Sequence, residues 1–133
     1  MKNLYVLLLA VCFAVTACSN TEEMECKVCG IDNPLQDIEW LREYCENLKE
    51  RQDISKVSID LYKVIDTGKH LFKIGTIYSN VDTPLAYSEY WRDCTGNNVF
   101  YWMGDLVHAD PGKYYEFIED KEFVAELFHF IKQ

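Results

Sequence analysis

Hydrophobic and polar positions along the chain follow two different periods, which predicts a mixture of helices and strands. Between Leu35 and Leu48, apolar residues recur every three or four positions, and this spacing predicts a helix with one buried face. Asn33 and Pro34 mark its start, because asparagine caps helices and proline fits the first helical position. The apolar stripe consists of Leu35, Ile38, Leu41, Cys45 and Leu48.

Residues 56–103 mostly alternate apolar and polar side chains, which is the period of a β-strand. Four strands are predicted, at 56–65, 70–79, 86–93 and 99–103. Turn sequences separate successive strands, and such short connections favour an antiparallel meander. The first helix is expected to cover one face of this sheet.

Two further segments are predicted towards the C-terminus. Asp110 opens an irregular or short helical piece that runs through Ile118, and Asp120 caps a last helix. The apolar stripe of this last helix consists of Val124, Leu127, Phe128 and Ile131. The expected fold is therefore α+β: an N-terminal helix, a four-stranded antiparallel β-meander and a C-terminal helix, in a single small domain over 33–133.

Residues 1–17 have the three parts of an export signal. Lys2 is followed by an apolar core of about twelve residues and then by small residues. This core is too short for a membrane-spanning helix, which needs about 20 residues. The sequence at 15–18, Val-Thr-Ala-Cys, resembles the lipobox of bacterial lipoproteins, which implies cleavage before Cys18 and lipid on its thiol. The alternative is an ordinary secretory peptide cut after Ala17, with Cys18 a plain thiol.

Residues 18–32 are predicted to be a lipidated tether. Glu22, Glu23 and Glu25 follow closely after Cys18, and this cluster resembles the surface-export signal of Bacteroidota lipoproteins. The alternative is a solvated linker, because acidic segments with few apolar residues do not form a core. The expected location is the bacterial outer membrane or cell surface.

Charge excludes one class of partner. The 133-residue chain carries a formal net charge of −9. Removal of residues 1–17 takes away one lysine and no acid, so the mature chain of 116 residues carries −10. An acidic surface repels phosphate backbones, which argues against nucleic acid. It also repels anionic lipid, so the lipid on Cys18 is expected to make the membrane contact.

Four cysteines remain in the predicted mature chain besides Cys18, namely Cys26, Cys29, Cys45 and Cys94. An exported chain meets an oxidising compartment, so two disulfides are expected, with three possible connectivities. Cys26 and Cys29 also form a C-x-x-C motif, as in redox and zinc sites. A redox motif needs a helix N-terminus, but the predicted helix starts at Pro34, too far from Cys26. A zinc site usually has a second close pair, but Cys45 and Cys94 are far apart in sequence. Structural disulfides are therefore favoured.

Two segments carry a family resemblance. Residues 29–43, which contain Cys29-Gly30, Asn33-Pro34 and Trp40-Leu41, and the Asp-Cys-Thr-Gly-Asn turn at 93–97 resemble small Bacteroidota lipoproteins whose activity is not known. The resemblance implies a disulfide between Cys29 and Cys94. It covers about a third of the mature chain, and the segment after Met103 departs from it.

No residues have the spacing of a catalytic or metal site. His70, His108 and His129 each lack a second His or Cys at metal-binding spacing. His108 with Asp110 could hold a metal weakly, but a loop histidine near a helix cap is the favoured interpretation. No serine lies in a nucleophile elbow. A glycosidase needs two carboxylates across a cleft, for which one small domain has little room. No enzymatic activity, cofactor or metal is therefore expected.

Aromatic residues crowd the second half of the chain, and the candidate binding residues are Trp91, Trp102, Tyr90 and Tyr101. Alternate strand positions face opposite sides of a sheet. An exposed set would form a binding face, whereas a buried set would fill the core. The leading hypothesis is a non-enzymatic, lipid-anchored envelope protein that binds or assembles with another envelope protein. The alternative is a small carbohydrate-binding accessory lipoprotein.

Overall fold

The computed structural model describes residues 27–79, 87–103 and 110–133. The predicted signal peptide, Cys18, most of the tether, Cys26 and His108 lie outside these residues. Within the described ranges, no helix has both the length and the apolar character needed to span a membrane.

The architecture is a small α+β fold built on one antiparallel sheet. Its strands are β1 (Ile54–Val64), β2 (His70–Tyr78), β3 (Tyr87–Arg92), β4 (Asn98–Met103) and β5 (Lys121–Ile131). The order across the sheet is β4-β3-β2-β1-β5, so the four predicted strands form the expected meander. β5 adds a fifth strand beside β1.

The predicted C-terminal helix is wrong, because that segment forms β5. Two register shifts against β1 each insert one extra residue into β5, and these residues are Val124 and Leu127. An extra residue interrupts the alternation of period two. The apolar positions of this bulged strand therefore acquire the three- and four-residue spacing of a helix.

The N-terminal helix begins at the predicted residue but is interrupted. α1 (Pro34–Asp37) and α2 (Glu39–Asn47) flank Ile38, whose ψ of 109° is extended. A short 3₁₀ turn at Leu48–Glu50 follows. Three residues of the predicted stripe, Ile38, Leu41 and Leu48, are buried and pack on one face of the sheet. They belong to a hydrophobic cluster that also contains Ile54, Val57, Ile59, Leu61, Phe72 and Ile74. This side of the sheet, which carries Ile59 and Ile74, is called the first face.

The opposite side of the sheet, which carries Lys73 and Trp91, is called the second face and is covered by α3 (Pro111–Ile118). The Asp110 carboxylate accepts a hydrogen bond from the Gly112 N–H at 3.0 Å, which caps the helix. The Phe117 ring stacks on Phe100 with 4.1 Å between centroids. Of the two alternatives predicted for 110–118, an irregular or a short helical piece, the structure has the helical one, which gives the sheet a second packed layer.

One disulfide fastens the N-terminal end of the fold to the turn between β3 and β4. It joins Cys29 to Cys94, as the family resemblance implied. Beside it, the Trp40 Nε1–H donates to the Cys94 carbonyl at 3.1 Å. Cys45, predicted as a disulfide partner, is a half-buried free thiol within the described part of the chain.

Candidate functional site

The four predicted binding aromatics separate onto the two faces. Trp91 and Trp102 lie on the second face, whereas Tyr90 and Tyr101 lie opposite each other on the first. Trp91 is completely buried, so its assignment to a binding surface is wrong. Its ring is enclosed by Tyr62 and Phe117 at 4.7 and 5.1 Å between centroids, which makes it a core residue.

Trp102 is half-buried and packs against α3. Its ring lies 5.0 Å from Tyr114 of α3, and its Nε1–H is buried without a hydrogen-bond partner among the described residues. Tyr90 is half-buried, and its ring lies 4.6 Å from that of Tyr101, which is exposed. Of the four candidates, Tyr101 is the exposed one, Tyr90 and Trp102 are half-buried, and Trp91 is buried.

A pocket opens on the first face, between α2 and the β2–β3 pair. Its free volume is about 220 Å³. It is lined by Tyr44, Arg51, Ile74, Thr76, Tyr78, Tyr90 and Arg92, and it is called the arginine–tyrosine pocket below. Of these lining residues, only Tyr90 is a binding candidate predicted from the sequence, because Arg51 and Tyr44 reach the pocket from other elements.

Arg92 is held in place on one side of this pocket. Its Nε donates to the Asn98 side-chain oxygen at 3.0 Å. Its guanidinium carbon lies 5.6 Å from the Trp40 ring centroid and 6.0 Å from that of Tyr90, within cation–π range of both. Among the described residues no carboxylate pairs with it, so its terminal nitrogens are available as donors.

Arg51, on the other side of the pocket, is already paired. Its Nε donates to Asp53 at 2.9 Å, and its Nη2 contacts the second carboxylate oxygen. This hydrogen bonding raises the pKa of Arg51 and lowers the pKa of Asp53, so both groups are ionised at neutral pH. Arg51 therefore contributes less positive potential to the pocket than Arg92 does.

The half-buried phenol of Tyr44 lies close enough to Arg51 and Arg92 to be affected by their charges. Burial raises its pKa, whereas a hydrogen bond from Thr76 and the nearby Arg51 and Arg92 act in the opposite direction. In a chain with net charge −9, this pocket is a local concentration of positive charge.

The edge of the sheet beside the pocket is apolar. Val99, Tyr101 and Met103 lie on the first face of β4 and are each 44–47% exposed. No residue of β4 is charged, and within the described ranges no strand pairs with its outer side. These three residues and the free backbone groups beside them are called the β4 edge.

The other edge of the sheet, β5, is different. It carries four ionisable residues, Lys121, Glu122, Glu126 and His129. It also contains the two extra residues that shift its register against β1. Charges and bulges are the devices by which proteins protect a free strand from pairing. β4 has one register shift against β3, which leaves Val99 without a partner residue, but it carries neither a charge nor a proline.

The second face contains a buried carboxylate network beneath α3. Glu89 is 4% exposed and accepts hydrogen bonds from the hydroxyls of Tyr87 (2.6 Å) and Tyr114 (3.2 Å) and from the Trp91 indole (3.2 Å). The Lys73 ammonium lies 4.0 Å from Glu89 and 3.3 Å from Asp60. The Glu89 carboxylate is thus fully engaged, which is the arrangement of a structural polar network.

The C-x-x-C alternatives are decided in part. Cys29 is bonded to Cys94 rather than to its motif neighbour, which leaves no redox disulfide within C-x-x-C.

A hollow of about 480 Å³ lies beside this disulfide and is lined by Lys27, Lys69 and His70, among others. Burial lowers the pKa of His70, whose Nδ1 accepts from the Cys29 N–H at 3.5 Å. No group of three His, Cys, Asp or Glu that could hold a metal occurs in the described ranges.

Comparisons with protein-family models, with curated proteins and with solved structures found no match to this chain.

Proposed function

We propose that this protein is a non-enzymatic lipoprotein that pairs its β4 edge with an extended strand of another envelope protein. Lipid on Cys18 would anchor it to the outer membrane or cell surface, and the export signal with its Val15–Cys18 lipobox pattern supports this part. The observation that carries the binding role is the uncharged, apolar β4 edge.

Strand addition suits the β4 edge because it uses both the free backbone groups and the apolar side chains of this strand. Unpaired backbone N–H and C=O groups of an edge strand bind an incoming strand, and alternate side chains give specificity. Val99, Tyr101 and Met103 supply those side chains on the first face. A free strand of this kind invites aggregation unless a partner covers it.

Charge favours a different protein as partner over a second copy of this chain. Two copies of the mature chain would bring together two net charges of −10, which repel each other. Arg92 lies in β3 directly beside Asn98 of β4, on the first face. An incoming strand with an acidic residue near Arg92 would be attracted, and such complementarity raises the association rate and selects the partner.

Carbohydrate binding is the second candidate, and it keeps two of its four predicted residues. Tyr90 and Tyr101 form an aromatic pair beside the arginine–tyrosine pocket, with centroids 4.6 Å apart. Tyrosine rings can stack on sugar rings, whereas the buried Trp91 cannot.

The anchor is tested by Cys18→Ser. This variant should move from the membrane fraction to the soluble fraction, because it lacks the thiol that carries the lipid and therefore has no acyl chains to anchor it. Cys45→Ser is the matched control and should stay with the membrane. Persistent membrane attachment of Cys18→Ser would contradict lipid anchoring.

The interface is tested in cells with a photo-crosslinking amino acid at Tyr101. We expect a discrete adduct with one other envelope protein, identified by mass spectrometry. The same probe at Tyr115, which is 66% exposed on α3, is the control and should not give that adduct. Adding Val99→Lys to the Tyr101 probe should abolish the adduct, because a lysine in the apolar row opposes strand pairing.

Three outcomes would contradict the proposed interface. An adduct with the mass of a dimer of this chain would identify a second copy as the partner. Equal adducts from Tyr101 and Tyr115 would show non-specific proximity. An adduct that survives Val99→Lys would place the contact away from the β4 edge.

A further inference from the structure

We infer that the arginine–tyrosine pocket binds a ligand with a single ring and a single carboxylate, of the sugar-acid class. This inference concerns the pocket alone and does not require a partner strand at β4, although a ligand carboxylate on Arg92 would compete with an acidic residue of such a strand. It follows from the state of Arg92, the net charge of the pocket, its size and its polar lining.

Arg92 presents a prepared carboxylate site. The Asn98 side chain occupies its Nε, and the guanidinium lies within cation–π range of the Trp40 and Tyr90 rings. Its two terminal nitrogens remain free of carboxylates among the described residues. Such a planar pair of donors matches the two oxygens of a carboxylate. Because the side chain is already ordered, little rotamer entropy is lost on binding.

The charge of the pocket selects a monoanion. Arg51 is neutralised by Asp53 through two contacts, and both groups are ionised. Two guanidinium groups and one carboxylate leave one positive charge, which is that of Arg92. A monoanionic carboxylate balances this charge, whereas a phosphate dianion would leave an unpaired negative charge near the half-buried Tyr44 and Tyr78.

The size of the pocket restricts the ligand to about one ring. Its free volume of about 220 Å³ is below the 300–1,000 Å³ typical of pockets for drug-sized molecules. The pocket therefore suits a terminal or single sugar residue and excludes an extended chain from its interior.

The lining favours a polyhydroxylated ring over an aromatic acid. Three phenols, those of Tyr44, Tyr78 and Tyr90, and the buried hydroxyl of Thr76 line it. The Tyr78 hydroxyl is fixed by Ser88 at 3.0 Å. Ile74 is the only aliphatic side chain among the lining residues. A ring with several hydroxyl groups can form further hydrogen bonds with the remaining donor and acceptor positions of these phenols, whereas the ring of a benzoate cannot.

The test uses the full chain in a non-ionic detergent, with glucuronate as the probe, glucose as its neutral match and benzoate as its aromatic match. Affinity is measured by calorimetry. The site is located by the ¹H–¹⁵N signals of the indoles, of which the chain has three. Saturable glucuronate binding is expected to shift the signal of Trp40, which contacts Arg92, and to leave that of Trp91 on the second face in place.

Variants identify the residue responsible. Arg92→Gln should weaken glucuronate binding at least about tenfold, as expected for loss of a charged hydrogen-bonding partner. Lys113→Gln makes the same charge change on α3 and should bind as the unaltered protein does. Arg92→Lys keeps the charge and loses the planar pair of donors. It should also bind more weakly, and it decides the matter if Arg92→Gln does not fold.

Four results would overturn the inference. Equal affinity for glucose would remove the role of the carboxylate, and tighter binding of benzoate would remove the sugar ring. Full affinity in both Arg92 variants would place the site elsewhere, and so would an unchanged Trp40 signal at saturation. None of these results bears on the crosslink at Tyr101, so failure of the pocket and failure of the β4 interface are distinguishable.

Discussion

The hydroxyl of Tyr87 donates a 2.6 Å hydrogen bond to the carboxylate of Glu89, two residues further along β3 and on the same face of the sheet. A second hydroxyl, that of Tyr114, reaches the same carboxylate oxygen from α3 at 3.2 Å. This carboxylate therefore joins the sheet to the helix that covers its second face. A buried acceptor with two donors on one oxygen is difficult to replace by any other side chain.

Glu89→Gln should lower the free energy of unfolding by about 2 to 3 kcal/mol. The amide nitrogen of glutamine cannot accept the bonds that one of the two carboxylate oxygens now accepts, so a buried O–H or N–H donor is left unpaired. Glu43→Gln, at an exposed position of α2, should change stability by no more than about 0.5 kcal/mol. Urea denaturation measures both, and equal stability of the two variants would contradict a structural role for Glu89.

Stability should fall at alkaline pH through Tyr87 and Tyr114. Burial and the neighbouring Glu89 carboxylate raise the pKa of both phenols. The folded state therefore keeps these protons when the unfolded state, with a tyrosine pKa of about 10, loses them. The stabilisation is complete below about pH 10 and is lost as the pH rises above that value.

Urea denaturation between about pH 8 and pH 11 measures this dependence. Tyr87→Phe should flatten the alkaline decline of the unfolding free energy. Tyr115→Phe, next to Tyr114 but 66% exposed, should leave the slope as it is. A decline of the same steepness in Tyr87→Phe would show that other groups cause it.

Loss of the Cys29–Cys94 disulfide should destabilise the fold substantially. The bond closes a loop with a sequence separation of 65 residues, and loop-closure entropy predicts a stabilisation of about 4 kcal/mol. The double variant Cys29→Ala/Cys94→Ala should have a correspondingly lower urea midpoint. Cys45→Ala serves as the comparison, since it leaves the disulfide in place. A double variant with an unchanged midpoint would mean that the bond is not formed in solution.

Gly96→Ala should be more harmful than Gly68→Ala. Both glycines have positive φ, at +88° and +70°, so alanine is strained by about 1 to 2 kcal/mol at either position. Only at Gly96 would the added methyl group also lie 2.9 Å from a Trp40 ring carbon, whereas nothing lies within 4 Å at Gly68. Thermal unfolding should show the larger loss for Gly96→Ala, and a reversed order would contradict the close packing of Trp40 on this turn.

Local pattern located most of the elements correctly. The four strands of the meander have short turns between them and regular alternation, and each was predicted to within a few residues. Asn33-Pro34 marked the start of α1, and Asp110 marked the start of α3. Such signals are readable because a cap or a turn is determined by residues adjacent in sequence.

The hydrophobic pattern was misleading where packing against another element decided the conformation or the burial of a residue. Val124 and Leu127 have helical spacing only because two bulges displace them from alternation against β1. The same applies to Trp91. Its position on an alternating strand does not reveal that α3 covers the second face and buries it.

The sequence by itself determined the export signal pattern, the acidic charge, the α+β class and the four-stranded meander, because each depends on composition or on neighbours along the chain. The tertiary structure alone decided the fifth strand, the burial of Trp91, the contrast between the two sheet edges and the arginine–tyrosine pocket. The residues of that pocket come from α2, β2, β3 and the segment before β1. Their proximity is a consequence of tertiary packing, which the hydrophobic periodicity of each segment does not reveal.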